Sequence, residues 1–138
     1  MKTIKIEDLE REIGKDIAAF RNGIADNLQK QIIENAPVDE GTMRANIKTY
    51  VNDVTGDFDE SSQDPSGTAT QSSNSSTIKG AVRPEDRIII SSHAPYSVRV
   101  EFEGHSGDAP SGFVRIALES LQNILANVKQ NINNWRQS

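Results

Sequence analysis

The chain has no cysteine, few aromatic residues and no long apolar run. Without thiols there is no disulfide framework, no zinc–thiolate centre and no cysteine nucleophile, a composition that fits a reducing cytoplasm. One Trp, two Tyr and four Phe leave little with which to stack nucleic-acid bases. No apolar stretch approaches the ~20 residues of a spanning helix, and the opening MKTIKIEDLEREIG lacks an apolar signal-peptide core, so no membrane partner is expected. Positive charge is also short, with 15 Lys and Arg against 20 Asp and Glu and a formal net charge of -5. Phosphate binding is driven by clustered cations that release counterions, so the chain is not expected to grip DNA. Its 138 residues are room for one domain with appendages, and a single domain over 1–138 is expected.

What the sequence does have is periodicity. From Ile6 the apolar positions Leu9, Ile13, Ile17, Phe20, Ile24, Leu28 and Ile32 follow in steps of three and four, which predicts one long helix to about Asn35, stopped at Pro37. Gly14 and Gly23 inside it cost helix stability unless another backbone comes close. Asp39 is placed to cap a short helix in which Met43, with Ile47 one turn on, faces the core. A strand is expected from Ile47 to Val54. Residues 52–77 are Ser-rich, acidic at the start and poor in apolar side chains, which predicts a long mobile loop. A hairpin is expected from 78–82 and 87–91 around Pro84, then a half-buried strand from Tyr96 to Phe102. From Ser111–Gly112 to about Arg136 a last helix repeats Val114, Leu118, Leu121, Leu125, Val128, Ile132 and Trp135, and residues 126–138 form a polar helical tail able to meet another subunit. The fold class that results is α+β, a small, mostly antiparallel sheet packed by a long N-terminal and a long C-terminal helix.

Three chemical readings compete over residues 101–113. Ser106, in a G-x-S-G-like context, resembles a hydrolase nucleophile, but the neighbouring His105 is too close in sequence to serve it, which leaves His93 as the one candidate base. Glu101, Glu103, His105 and Asp108 offer metal ligands without any metal-motif spacing, so a solvated acidic edge is the preferred reading. Arg83, Arg87, Arg99 and Arg115 make at most a modest basic patch. No phosphate-binding loop is present, and no metal or cofactor is expected.

Two blocks carry a resemblance. NAPVDEGTMRANI (35–47) resembles the Ala-Pro-Val-Asp-Thr-Gly-x-Leu-Arg-x-Ser-Ile signature of the tail-completion, or head-tail joining, proteins of tailed bacteriophages and prophages. HAPYSVRVEFEGH (93–105) with GFVRIALESL (112–121) is similar to the Tyr-Ala-x-x-Val-Glu-Phe-Gly-Thr stretch and the helix opening of that family. Glu103 is inserted before the glycine, Gly112 and Ile116 replace common prolines, and the 52–77 segment is unusually long. The resemblance singles out Pro37, Asp39, Gly41, Arg44, Tyr96, Glu101, Phe102, Gly104 and Phe113 as fold-making or interface residues. On it, Gly41 lets backbones approach, and Arg44 pairs with Glu101 or with a neighbouring subunit.

The resemblance implies a non-enzymatic virion protein of the neck. Copies assemble into a ring, a hexamer, between a portal, connector or stopper protein and the tail tube or its terminator, and DNA passes through the lumen without specific binding. Other readings remain: a tail terminator capping the tube, a small serine hydrolase using Ser106 and His93, or an acidic adaptor that binds a protein through 52–77.

Overall fold

The computed structural model describes residues 5–103, 112–121, 123, 125–127 and 129–130. The elements run α1 (Ile6–Asn35), α2 (Thr42–Ala45), β1 (Ile47–Val51), α3 (Thr68–Lys79), β2 (Ile88–Ser92), α4 (Ser97–Glu103) and α5 (Phe113–Glu119). β1 and β2 pair antiparallel, with Thr49 opposite Ile90, and make a two-stranded sheet. α3 packs on β1 and on α1, and α5 packs on α1 and α4. This is an α+β fold.

α1 ends where the proline requires. Ala36 is extended, at φ -72° and ψ 149°, as a residue before proline prefers, and its N–H closes the helix on the carbonyls of Ile32 and Ile33. A Cβ on Gly14 would stand 3.3 Å from the Pro84 ring, so this glycine marks a close approach of the 81–86 turn. Arg21 holds that turn, donating to the carbonyl oxygens of Ala81 at 2.7 Å, Arg83 at 2.9 Å and Asp86 at 2.6 Å. Only the second half of the apolar stripe reaches the core. Ile32 and Ile33 are buried with Ala36, Met43, Ile47, Ala94, Val100, Phe113 and Ala117, whereas Ile6, Leu9, Ile13 and Ile17 are 72%, 51%, 50% and 51% exposed.

The structure departs from the sequence expectations first between residues 52 and 92. No hairpin of 78–82 with 87–91 forms. Ile78 belongs to α3, and β2 pairs instead with β1. The irregular segment therefore covers 53–67 rather than reaching Thr77. Its helical part, TATQSSNSSTIK, is built of residues that favour caps and turns, and tertiary contacts hold it: Asn74 and Ile78, one turn apart, are its buried positions.

Residues 97–103 are helix α4, not a strand. The Ser97 hydroxyl and N–H both return to the Ala94 carbonyl, and Arg99 and Glu103 pair one turn apart at 3.3 Å. Of the alternating residues only Val100 is buried. Phe102, expected to close a strand on the core, is 65% exposed.

Beyond Glu119, the described residues 121, 123, 125–127 and 129–130 are helical, and the rest of the expected tail lies outside the described residues.

Candidate functional site

The two sequence blocks meet. Pro37, Val38, Asp39, Glu40 and Met43 from the first, and Tyr96, Arg99 and Val100 from the second, line one cleft of about 1010 Å³, joined by Phe58 and Glu60 from the irregular segment. Met43 and Val100 belong to the core cluster, so the cleft opens onto the core. Phe58 meets Tyr96 edge-on, ring centroids 6.4 Å apart. The cleft carries the carboxylates Asp39, Glu40 and Glu60 and, among the described residues, the single cation Arg99. Burial first, and then the Asp39 carboxylate, push the Tyr96 phenol above its usual range. The cleft thus has an apolar floor and charged walls.

Behind the cleft lies a knot of backbone. Gly41 stands at φ 84°, and a Cβ there would come within 2.7 Å of the Asp64 nitrogen, with the Asp64 carbonyl carbon and the Pro65 nitrogen nearer still. The glycine is needed for close approach, as expected, and its carbonyl accepts the Asp64 N–H at 3.0 Å. Arg44 sits beside it and donates to the carbonyl oxygens of Glu34 at 3.0 Å, Ala36 at 3.0 Å and Pro65 at 3.1 Å. The guanidinium therefore ties the end of α1 to the irregular segment, and its pairing with Glu101 does not form. Burial pulls the Arg44 pKa down from its usual value, and the charges of Glu34 and Asp64 oppose the shift. The capping position of α2 is Gly41 rather than Asp39, which occupies the preceding turn at φ 36°.

Glu101 has a different partner from the one expected. Its carboxylate accepts the N–H groups of Val114 at 2.9 Å and Arg115 at 3.0 Å, the start of α5, and also the Arg115 Nε at 3.0 Å. The Arg115 guanidinium lies 4.7 Å from the centre of the Phe102 ring. Glu101 thus fastens α4 to α5, while Phe113 fills the core beneath. Gly104 lies outside the described residues, as do His105, Ser106 and Asp108. Among the described residues no group of three His, Asp or Glu side chains is placed to hold a metal. His93 bonds through Nε2 to the Tyr50 hydroxyl at 2.7 Å.

Composition alone hides the amides that order the polar segment. Buried Asn46 accepts the Asp59 N–H at 2.8 Å and donates to the Asp59 carbonyl at 2.9 Å, a side chain acting as a strand partner. Asn74 does the same for the outer edge of β1: it accepts from Thr49 N–H at 3.0 Å and donates to Ile47 carbonyl at 2.9 Å and to Gln29 Oε1 at 3.1 Å. Asp59 is in turn held down to about 2 by the hydroxyls of Ser61 and Ser62 and the Ser61 N–H. For Asp64, burial works against ionisation, but bonds from the Thr70 hydroxyl and N–H outweigh it and lower its pKa.

No curated protein and no solved structure matches the chain. A family model matches residues 4–102, taking in the first block and the second as far as Phe102 and leaving out α5. The chain belongs to the HK97-gp10-like family, described as "Bacteriophage HK97-gp10, putative tail-component", and is a bacteriophage tail component.

Proposed function

We propose that the protein is a non-enzymatic structural component of the virion neck, where identical copies close into a hexameric ring that completes the tail and joins it to the head connector. Partners on the two sides are a portal, connector or stopper protein and the tail tube or its terminator. The observation that carries this reading is the meeting of both signature blocks at one cleft in a chain of a tail-component family. Pro37, Asp39 and Tyr96 line the cleft, while Gly41, Arg44, Glu101 and Phe113 hold its walls in place from behind. The cleft receives the neighbouring subunit, and a head-to-tail contact of this kind closes into a ring when its rotation is right. A net charge of -5 suits a lumen through which DNA slides without being held.

Val38, 47% exposed on the rim, tests the interface without touching the core. Val38→Arg is expected to leave the circular dichroism spectrum and thermal midpoint near wild type while mass photometry shows the ring replaced by single chains. Rings of unchanged size would contradict the assignment of the cleft.

A further inference from the structure

In the antiparallel ladder the Asn52 N–H reaches the Arg87 carbonyl and the His93 N–H the Asn46 carbonyl, so Ile47, Thr49 and Val51 stand opposite Ser92, Ile90 and Ile88 as the pairs that exchange no hydrogen bonds. The backbone groups of these six residues point away from the ladder. On β1 the Asn74 amide takes up the Thr49 N–H and the Ile47 carbonyl. On β2 the N–H and C=O groups of Ile88, Ile90 and Ser92 have no hydrogen-bond partner among the described residues. We propose that this edge is a strand-addition site, at which an extended segment of another protein, apolar at alternate positions, pairs with β2 as the third strand of the sheet.

Three observations point to this occupant. The first is the hydrogen bonding itself, because donors and acceptors alternating along one line are the complement of another extended backbone. The second is the floor beside the edge. Ile88 and Ile90 share a groove of about 520 Å³ with Phe20, Ile24 and Leu28 of α1 and with Val114 and Leu118 of α5. Successive residues of a strand point to opposite faces, so every other side chain of an added strand enters this apolar groove and the rest meet solvent. The third is the lack of a guard. The run Ile-Ile-Ile-Ser-Ser is half-buried throughout and carries neither charge nor proline, whereas an edge that must stay unpaired is ordinarily blunted by Lys, Pro or a bulge. A second copy is the poorer donor. Its β1 edge is closed by Asn74, and pairing β2 with β2 would bring the partner's β1 in on the side where α5 lines the groove.

Hydrogen exchange of the full chain, followed by NMR, tests the site with two capped peptides. One is Lys-Val-Thr-Val-Thr-Val-Lys; the other is the same peptide N-methylated at every Val and Thr, which keeps the side chains but removes the N–H donors. In the free chain the Ile88, Ile90 and Ser92 amides are expected to exchange about tenfold faster than those of Ile89 and Ser91, which bond to β1. The first peptide is expected to slow the three edge amides by about tenfold at saturation, and the methylated one to leave them unchanged. Leu118→Arg, at a residue 48% exposed, obstructs the groove without touching the edge. With an unchanged circular dichroism spectrum, it is expected to raise the peptide concentration required by about tenfold. Edge amides already protected in the dilute free chain would show that the chain covers its own edge, and protection that grows with protein concentration would assign the edge to a second copy. Either result overturns the proposal. So would an equal effect of the methylated peptide, no effect of either peptide, or undiminished binding by folded Leu118→Arg.

Discussion

Asn74→Ala removes a side chain that stands in for a missing third strand. The amide satisfies the Thr49 N–H and the Ile47 carbonyl on the outer edge of β1, and the carbonyl of Gln29, all with Asn74 buried. Alanine leaves a buried backbone donor and acceptor stranded, each costing about 1–3 kcal/mol, and returns roughly 0.6 kcal/mol of helix propensity. The net loss is about 3 kcal/mol, a large part of the 5–15 kcal/mol typical of a domain. With a urea m-value of about 1.5 kcal/mol/M, the unfolding midpoint should fall by about 2 M while m stays constant. Ser73→Ala, one position away and exposed, should change stability by less than about 0.5 kcal/mol. If Asn74→Ala lost under about 1 kcal/mol, the amide would not be what holds α3 against the sheet edge.

Thr49→Val should raise stability by about 1 kcal/mol in the same assay, because the Thr49 hydroxyl is buried with no hydrogen-bond partner among the described residues. Arg44→Lys keeps the charge but cannot span three carbonyls, and is expected to cost about 2 kcal/mol by urea unfolding and to open the 59–67 segment to proteolysis. Glu101→Ala removes the carboxylate at the start of α5 and should cost about 1–2 kcal/mol, read as a lower thermal midpoint. Acid should weaken the fold between about pH 4 and pH 2. The folded pKa of Asp59 is depressed to about 2, so its contribution is present above the unfolded value near 3.9 and is lost as pH falls through the folded one. Asp59→Asn should flatten the pH dependence of the midpoint in that window, and an unchanged slope would refute the assignment.

How much was legible depended on what kind of bond orders each segment. α1 and its stop at Pro37 were readable, because a stripe of three and four and a proline act locally. The partnership of Met43 and Ile47 was readable for the same reason, whereas the glycine at 41 was singled out by the family resemblance and answers to a tertiary contact with Asp64 and Pro65. α3 was not, since Ser, Thr and Asn are poor helix formers, and contacts with other elements, those of Asn74 with Gln29 and of buried Ile78 among them, decide the matter. Tyr96 to Phe102 alternates like a strand, but Arg99 and Glu103 are also spaced for a helix, and the turn at Ala94 with Ser97 settles the conflict. The cleft was visible only as two separated blocks, and its geometry needed the chain to fold back across more than fifty residues. Arg44 was expected to pair with Glu101 or a neighbouring subunit, yet within the chain each of the two found backbone C=O or N–H groups instead of the other, a choice that residue type does not encode.

The most direct test of the account is cryo-electron microscopy of purified virions, supported by mass spectrometry of their proteins. The account predicts a six-fold ring of this chain at the neck, between connector and tail tube, with the 37–43 and 95–100 cleft on the contact between subunits. Absence of the protein from purified virions, or its presence only as isolated copies away from the neck, would contradict it.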